Sequence, residues 1–311
     1  MISDMLPGMG PSDPELVKVY DQLIRNDHDG ERMARAIRRT FDMLLDGQHT
    51  GRFRWDQLHK TEKTHCGTLV EINLQREFDF DDGSLLDYSI SGVEVDCKYS
   101  QNLAEWMIPP EARGRLLLGL WASDQASRWS AGLVRASEEH LNPGANRDAK
   151  RTLNRIGREA IRWLHKDARL QENILLRLPN RDIEAIFNPK SGQQRINELF
   201  RRVQQRLISR AVVATVATQE DYMARVRGSK NGARVHLRPE GIVIFGQYQS
   251  HVQAAVKLGL PAPGPGEFVA ARLARRRLRH QDLPYMELDG AQWVVATADD
   301  PVEHAPLLPK T

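Results

Sequence analysis

Two aspartates and a lysine are spaced so that a β-hairpin would bring their side chains together. Asp87 and Asp96 flank Ser91-Gly92, a dipeptide typical of a two-residue hairpin turn. Counting outward from that turn places Asp87 directly across from Asp96. Because side chains alternate between the two faces of a strand, Lys98 falls on the same face as Asp96. The spacing therefore predicts a cluster of two carboxylates and one amine.

This cluster has the groups that metal-assisted hydrolysis of a phosphodiester requires. Two facing carboxylates, about 5 Å apart at Cβ, repel one another unless a cation joins them. Oxygen ligands suit Mg²⁺, which is usually held by one or two carboxylates plus phosphate oxygens. Lys98 can orient or deprotonate a water molecule beside that metal, and Glu71, in a helix predicted before the hairpin, can approach the same metal. An exposed hairpin with a merely solvated polar face fits the same spacing.

The segments around the cluster predict a mixed α/β arrangement in the first half of the chain. Ser12-Asp13-Pro14 predicts the start of a helix. Helical spacing of apolar residues follows from Met33 to Leu45 and again from Thr64 to Phe78, the segment that contains Glu71. The runs with strand character are 86–90, 93–99, 116–121 and 129–135. The polar, basic stretch 142–169 has helical spacing, and we place a domain border near residue 168.

The second half predicts two helices followed by a hairpin, which is the order of a winged helix-turn-helix. The apolar face of the first helix is formed by Ile196, Leu199, Phe200, Val203 and Leu207. The second helix follows Thr218 and ends at Gly228. The hairpin would pair 235–237 with 242–245 across a turn at 238–241.

Basic residues concentrate in this second half. Residues 193–238 contain ten basic and three acidic residues, a local charge of +7, whereas the whole chain has a formal net charge of only +3. The weak overall charge excludes binding of polyanions by bulk charge alone, so a nucleic-acid site must be a local patch. The patch favours contact with DNA through Arg225, Arg227, Arg201 and Arg202. An arginine-lined helix face exposed only to water is the alternative.

The composition of the 311-residue chain is that of a globular protein with one large or two medium domains, since 41% of it is hydrophobic and 27% charged. Two cysteines in so long a chain indicate a reducing compartment, so we expect a cytoplasmic protein. There is no apolar run of about 18 residues and no signal sequence, so we expect no membrane association.

Long runs over nearly the whole chain resemble the NaeI family of restriction endonucleases. The run 56–65 reads DQLHKTEKTH, 67–74 reads GTLVEINL and 95–98 reads VDCK. Further matching runs lie at 46–52, 120–125, 146–148, 170–173, 197–203, 225–229 and 237–242. Such long runs are far more specific than the spacing of the metal cluster alone. The basic run 275–279 and the first dozen residues lie outside them.

The resemblance implies a two-domain homodimer. Residues 1–167 would form a catalytic domain with the restriction-endonuclease fold and a PD-(D/E)xK site, and residues 168–311 a winged-helix-like, catabolite-activator-like DNA-binding domain for effector DNA. Matched position by position, Glu71, Asp87 and Asp96 correspond to the family's acidic, metal-binding active-site residues. Lys98 corresponds to its catalytic lysine.

The resemblance also implies the reaction, which is Mg²⁺-dependent cleavage of double-stranded DNA at a GC-rich palindrome. That palindrome is GCCGGC for the enzyme that gives the family its name, and a second DNA copy stimulates cleavage, as in type IIE enzymes. A hypothesis of another class is a sequence-specific DNA-binding regulator whose nuclease-like domain is inactive, because winged helices are common in repressors. The intact set of Asp87, Asp96 and Lys98 favours the nuclease.

Overall fold

The computed structural model describes residues 13–227 and 231–308, which divide into two compact units. Unit 1 contains the chain up to Leu44 together with Leu58–Glu172, and unit 2 contains Leu45–Gln57 together with the chain from Asn173 onward. Ser12, in the predicted first helix start, and Gly228, the predicted helix end, lie outside the described residues. Within the described ranges, no helix is both long enough and apolar enough to cross a membrane.

The helices of unit 1 begin where side chains can satisfy their first backbone N–H groups. The Asp13 carboxylate accepts a hydrogen bond from Leu16 N (3.0 Å), and Pro14 occupies the first helical position. His59 N donates to the Glu62 carboxylate (2.7 Å) at the start of the longest of these helices. The described helices are α1 (Pro14–Asn26), α2 (Glu31–Leu45), α4 (Lys60–Phe78) and α5 (Arg155–Glu159), with α3 (Gly47–Thr50) in unit 2.

A six-stranded sheet forms the centre of unit 1. Its strands follow the chain order: β1 (Asp81–Asp82), β2 (Tyr88–Ile90), β3 (Val93–Ser100), β4 (Leu116–Ser123), β5 (Arg128–Arg135) and β6 (Arg162–Arg169). β3 and β4 run parallel, and the other neighbouring pairs are antiparallel. Strands β2 to β5 confirm the four strand predictions. The continuously apolar run of β4 is buried, because neighbouring strands flank it on both edges.

The helix predicted over 142–169 is wrong for most of that stretch. Only the five residues of α5 are α-helical, and the last eight form β6, which pairs with β5 at the edge of the sheet. Polar and basic residues suit an exposed edge strand, because their charges discourage pairing with another chain. The buried strand β5 therefore has a hydrogen-bonding partner on its second edge. This pairing outweighs the helical tendency of the local sequence.

Unit 2 combines short helices with a five-stranded sheet. The helices are α6 (Asn180–Phe187), α7 (Gly192–Arg202), α8 (Arg210–Ala217), α9 (Ala233–His236) and α10 (Gln249–Lys257). The strands are β7 (Leu207–Ser209), β8 (Ile242–Phe245), β9 (Glu267–Arg275), β10 (Tyr285–Leu288) and β11 (Ala291–Val295). The long strand β9 is the centre of the sheet, since β7, β8 and β11 all pair with it in antiparallel fashion.

The first helix predicted in this half is confirmed as α7, with Ile196, Leu199 and Phe200 fully buried. It ends at Arg202, so Leu207 lies in β7 and not on the helix face. The sequence interpretation did not identify α8. Its residues are largely apolar, without the polar face that marks an amphipathic helix, because most of them are buried in the core of unit 2.

The second helix and the hairpin predicted after it are wrong. Tyr222–Arg225 is a short 3-10 turn, and 235–237 belong to a helical turn in which Leu237 N donates to Ala233 O (2.9 Å). β8 pairs with β9, over Val269 to Arg272, and not with the residues just before it. All four residues of β8 are buried, so pairing with β9 removes apolar surface from water that an exposed local hairpin would leave accessible.

Candidate active site

The hairpin that carries the two aspartates has the predicted register. Ile90 lies opposite Val93, and Tyr88 lies opposite Val95. Both turn residues, Ser91-Gly92, have positive φ angles of 53° and 75°, as a type I′ turn requires. Asp87 directly precedes Tyr88, so the next position of the same register sets it opposite Asp96.

Lys98 connects the two carboxylates. Its Nζ lies 2.8 Å from Asp96 Oδ1 and 3.3 Å from Asp87 Oδ2, and it also donates to the carbonyl oxygen of Cys97 (2.7 Å). The Cys97 N–H donates to Asp87 Oδ2 (2.7 Å). Asp87 is therefore fixed by two donors from β3, and the structure brings together the three residues that the sequence predicted to cluster.

Asp96 is the most buried member of the cluster, with only 3% of the residue exposed. Burial raises the pKa of its carboxyl to about 6, although the Lys98 ammonium acts in the opposite direction. One of its oxygens, Oδ2, is buried and has no hydrogen-bond partner among the described residues. A buried carboxylate oxygen without a donor is costly unless a cation or water meets it.

Glu71 approaches this cluster from α4. The Tyr88 hydroxyl donates to the carbonyl oxygen of Glu71 (2.7 Å), which ties the helix to the hairpin beside Asp87. Burial raises the pKa of the Glu71 carboxyl, and the charge of Asp87 raises it further, while Lys98 lowers it. Asp87 and Lys98 therefore influence the pKa values of both Glu71 and Asp96.

These side chains fit a divalent cation that prefers oxygen ligands. Within the described ranges, no group of three or more His, Cys, Asp and Glu side chains is arranged to hold a metal. The fit therefore rests on the unpartnered oxygen of Asp96 and on Asp87 opposite it, with Glu71 nearby. Mg²⁺ suits such a site, because it commonly takes one or two carboxylates and completes its shell with water and phosphate oxygens.

The sequence interpretation did not single out Glu94, which lies on β3 two residues before Asp96 and on the same face. Its carboxylate accepts hydrogen bonds from three consecutive backbone N–H groups, those of Ser84 (2.6 Å), Leu85 (3.2 Å) and Leu86 (2.8 Å). These bonds hold the pKa of the Glu94 carboxyl below its ordinary value. The alternate spacing of Glu94, Asp96 and Lys98 along the strand was the sequence signal that could have placed Glu94 on the face of the site.

Three of the four arginines predicted to contact DNA have acidic partners within unit 2. Arg201 makes two hydrogen bonds of 2.6 Å to the Glu240 carboxylate and also contacts Glu198. Arg202 pairs with Asp182 (2.9 Å) and with Glu198 (3.1 Å), and Arg225 pairs with Asp221 (3.0 Å). In contrast, the exposed side chain of Arg227 has no hydrogen bond or ion pair with the part of the chain that the structure describes.

The basic run 275–279 is also engaged in contacts within unit 2. The Arg276 guanidinium stacks over the Tyr285 ring (3.9 Å), and the Arg275 guanidinium lies 5.7 Å from the Trp293 ring centroid. Arg277 pairs with Glu303 (3.0 Å) and Arg279 with Asp300. These contacts account for the run as part of the fold.

Comparison with known proteins relates both units to one family. The model of the family described as restriction endonuclease NaeI matches residues 17–304. The type II restriction enzyme NaeI of Lentzea aerocolonigenes is 50% identical over 305 residues, which cover 96% of this chain and 95% of that protein. The similarity therefore includes the hairpin, α4 and unit 2.

Proposed function

The chain belongs to the NaeI restriction endonuclease family and is a type II restriction enzyme, and we propose that it hydrolyses phosphodiester bonds of double-stranded DNA with Mg²⁺ held by Asp87 and Asp96. Glu71 is proposed as the third acidic residue of the site. The observation that carries this proposal is the Asp96 carboxylate. One of its oxygens binds Lys98, and the other is buried and has no hydrogen-bond partner in the part of the chain that the structure describes.

Each residue of the proposed site has a separate role in catalysis. When bound, Mg²⁺ supplies positive charge that stabilises the reacting phosphate and lowers the pKa of water. Asp87 is held in place by the Cys97 N–H and by Lys98. Burial opposes the charge of Lys98, but Asp96 and Asp87 together outweigh burial and raise the pKa of the lysine. Lys98 is therefore protonated at neutral pH, and its proposed role is to orient the attacking water and to stabilise the developing negative charge.

The proposed substrate is a GC-rich palindrome, with GCCGGC as the first sequence to test. A second DNA copy would bind unit 2 as an effector, although the described residues of unit 2 lack the second helix and the local hairpin that the winged helix-turn-helix prediction placed at 218–245. Arg227 is the first candidate contact, because it has no competing acidic partner among the described residues. Arg201, Arg202 and Arg225 would have to exchange carboxylates for phosphates in order to bind DNA.

The proposed assembly is a homodimer in the cytoplasm. A palindromic duplex is cut on both strands most simply by a two-fold dimer that presents one active site to each strand. Both cysteines are free and buried, which agrees with a reducing compartment. Sedimentation of the protein, free and bound to DNA, tests the dimer, and a monomer in both states would contradict it.

Cleavage of a sequenced plasmid tests the proposed activity. Supercoiled plasmid containing GCCGGC is incubated with the protein in Mg²⁺ buffer and in the same buffer with EDTA, and the product ends are mapped. We expect discrete ends only with Mg²⁺. Sequence-specific binding without any nick in Mg²⁺ would instead support a DNA-binding regulator with an inactive nuclease-like domain.

A further inference from the structure

The loop that delivers Asp87 to the active site has one side-chain anchor on β3. This loop, residues 83–86, lies between β1 and Asp87, which directly precedes β2. The two oxygens of Glu94 accept hydrogen bonds from Ser84 N, Leu85 N and Leu86 N at 2.6, 3.2 and 2.8 Å. Three successive backbone donors are thus satisfied by one carboxylate, immediately before the residue that the site requires.

The packing of the loop is tight on the side that faces Glu94. A Cβ atom added at Gly83 would lie 2.2 Å from the carbonyl oxygen of Leu86 and 3.1 Å from Glu94 Oε2. Only a glycine therefore lets the loop close onto the carboxylate. The side chain of Leu86, next to Asp87, is buried in the core of unit 1, whereas that of Leu85 is 60% exposed. Apolar packing therefore holds the end of the loop, and the hydrogen bonds of Glu94 hold Ser84 and Leu85.

The position of Glu94 connects this loop to the rest of the site. Along β3, Glu94, Asp96 and Lys98 share one strand face. The same strand therefore holds Asp87 from two sides, by Glu94 through the preceding loop and by the Cys97 N–H directly. The three backbone donors of the loop also compensate the negative charge of Glu94.

We propose that Glu94 is a positioning residue that fixes the loop 83–86 and thereby sets Asp87 at the distance from Asp96 that metal binding requires. This inference rests on the proposed function of Asp87 and Asp96 as metal ligands. Hydrogen-bonded partners of ligating carboxylates commonly change metal affinity or activity by about 10- to 100-fold when they are mutated. Glu94 acts one step further away, through the backbone that carries the ligand.

The test compares wild type with Glu94→Gln and Glu94→Ala, and uses Glu111→Gln as a matched control, an exposed carboxylate of the same unit. Mn²⁺ binding to the protein without DNA is followed by electron paramagnetic resonance. We expect Glu94→Ala to weaken Mn²⁺ binding by about tenfold, with Glu94→Gln intermediate because its amide keeps one acceptor oxygen. Single-turnover cleavage should fall in the same order and should require more Mg²⁺, while DNA affinity in EDTA stays at the wild-type level.

A further variant, Gly83→Ala, tests the same loop without changing a charge, because the added Cβ would prevent the loop from closing onto Glu94. We expect it to weaken Mn²⁺ binding and to raise the Mg²⁺ requirement in the same way. Wild-type Mn²⁺ affinity in a folded Glu94→Ala protein would overturn the inference. Parallel losses of Tm, DNA binding and cleavage in Glu94→Gln, Glu94→Ala and Gly83→Ala would also overturn it, because they would indicate a purely structural role. Failure of the proposed function is distinguishable, because wild type itself would then cleave no DNA in Mg²⁺.

Discussion

Lys98 Nζ lies 2.8 Å from Asp96 Oδ1, while the second oxygen of the same carboxylate is buried without a hydrogen-bond partner among the described residues. The amine therefore interacts with one oxygen of Asp96, and in the proposed site the other oxygen binds the cation. Under the proposed function, this unpartnered oxygen allows a carboxylate that is only 3% exposed to bind a metal ion. Burial raises its pKa to about 6, so a proton and a metal ion compete for it.

Metal binding should therefore weaken as the pH falls below about 6, because the protonated Asp96 carboxyl cannot bind a cation. Because the folded-state pKa is raised, protonation stabilises the metal-free fold at low pH, and this contribution is lost as the pH rises through about 6. Electron paramagnetic resonance of bound Mn²⁺ should show affinity falling by up to about tenfold per pH unit below this value, as expected for displacement of one proton. Constant affinity between pH 5 and 8, about one unit below and two above the pKa, would contradict the assignment.

Removal of the amine should affect catalysis more than binding. We expect Lys98→Ala to lower single-turnover cleavage by about 10²- to 10⁴-fold, since the attacking water loses the group that orients it. The pKa of Asp96 should also rise further, because Lys98 lowers it in wild type, so residual activity should shift to higher pH. Lys18→Ala, an exposed lysine of α1, is the control, and wild-type turnover in Lys98→Ala would show that the lysine is only a strand-surface charge.

Arg227 and Arg201 should behave differently on substitution. Arg227→Ala removes an arginine that has no acidic partner within 13–227 and 231–308. DNA affinity should therefore fall, and the salt dependence of binding should decrease by about one released ion. Arg201→Ala breaks a paired contact to Glu240, so stability should fall by at most about 1 kcal/mol, typical of surface ion pairs. Fluorescence anisotropy at several salt concentrations measures DNA affinity, and thermal unfolding measures stability. Equal losses of DNA affinity in the two variants would contradict a special role for Arg227 in DNA binding.

A second DNA copy should stimulate cleavage if unit 2 binds an effector. The test takes a plasmid with one recognition site and adds a short duplex that carries the same site. By reciprocity, scissile DNA must strengthen effector binding by the same factor, and such couplings are typically about 1 to 3 kcal/mol. If the added duplex only inhibits cleavage by competition at every concentration, unit 2 contributes to binding of the scissile duplex and does not bind an effector.

The active-site hairpin could be predicted from sequence because its information is local. Ser91-Gly92 fixes the turn, and counting residues then fixes Asp87 opposite Asp96. The burial of Asp96 and the loop contacts of Glu94 could not be read in this way, because they depend on how the loop folds back on β3.

The incorrect predictions concern strands whose partners are distant in sequence. β8 was predicted to pair with its immediate neighbours, but its buried residues pair with β9. β6 was predicted as helix, but it pairs with the edge of β5 and is therefore part of the sheet. In both cases, pairing with a strand far along the chain outweighs the local pattern.

Parallel measurement of cleavage and DNA binding by Asp96→Ala tests directly whether this carboxylate is a metal ligand of the nuclease site. Loss of this buried carboxylate should abolish cleavage in Mg²⁺, while affinity for the same duplex in EDTA stays close to wild type, because phosphate contacts supply much of the affinity. Thermal unfolding establishes that the variant is folded. Cleavage at the wild-type rate, or a comparable loss of binding and cleavage in the folded variant, would contradict the assignment of Asp96 as a metal ligand.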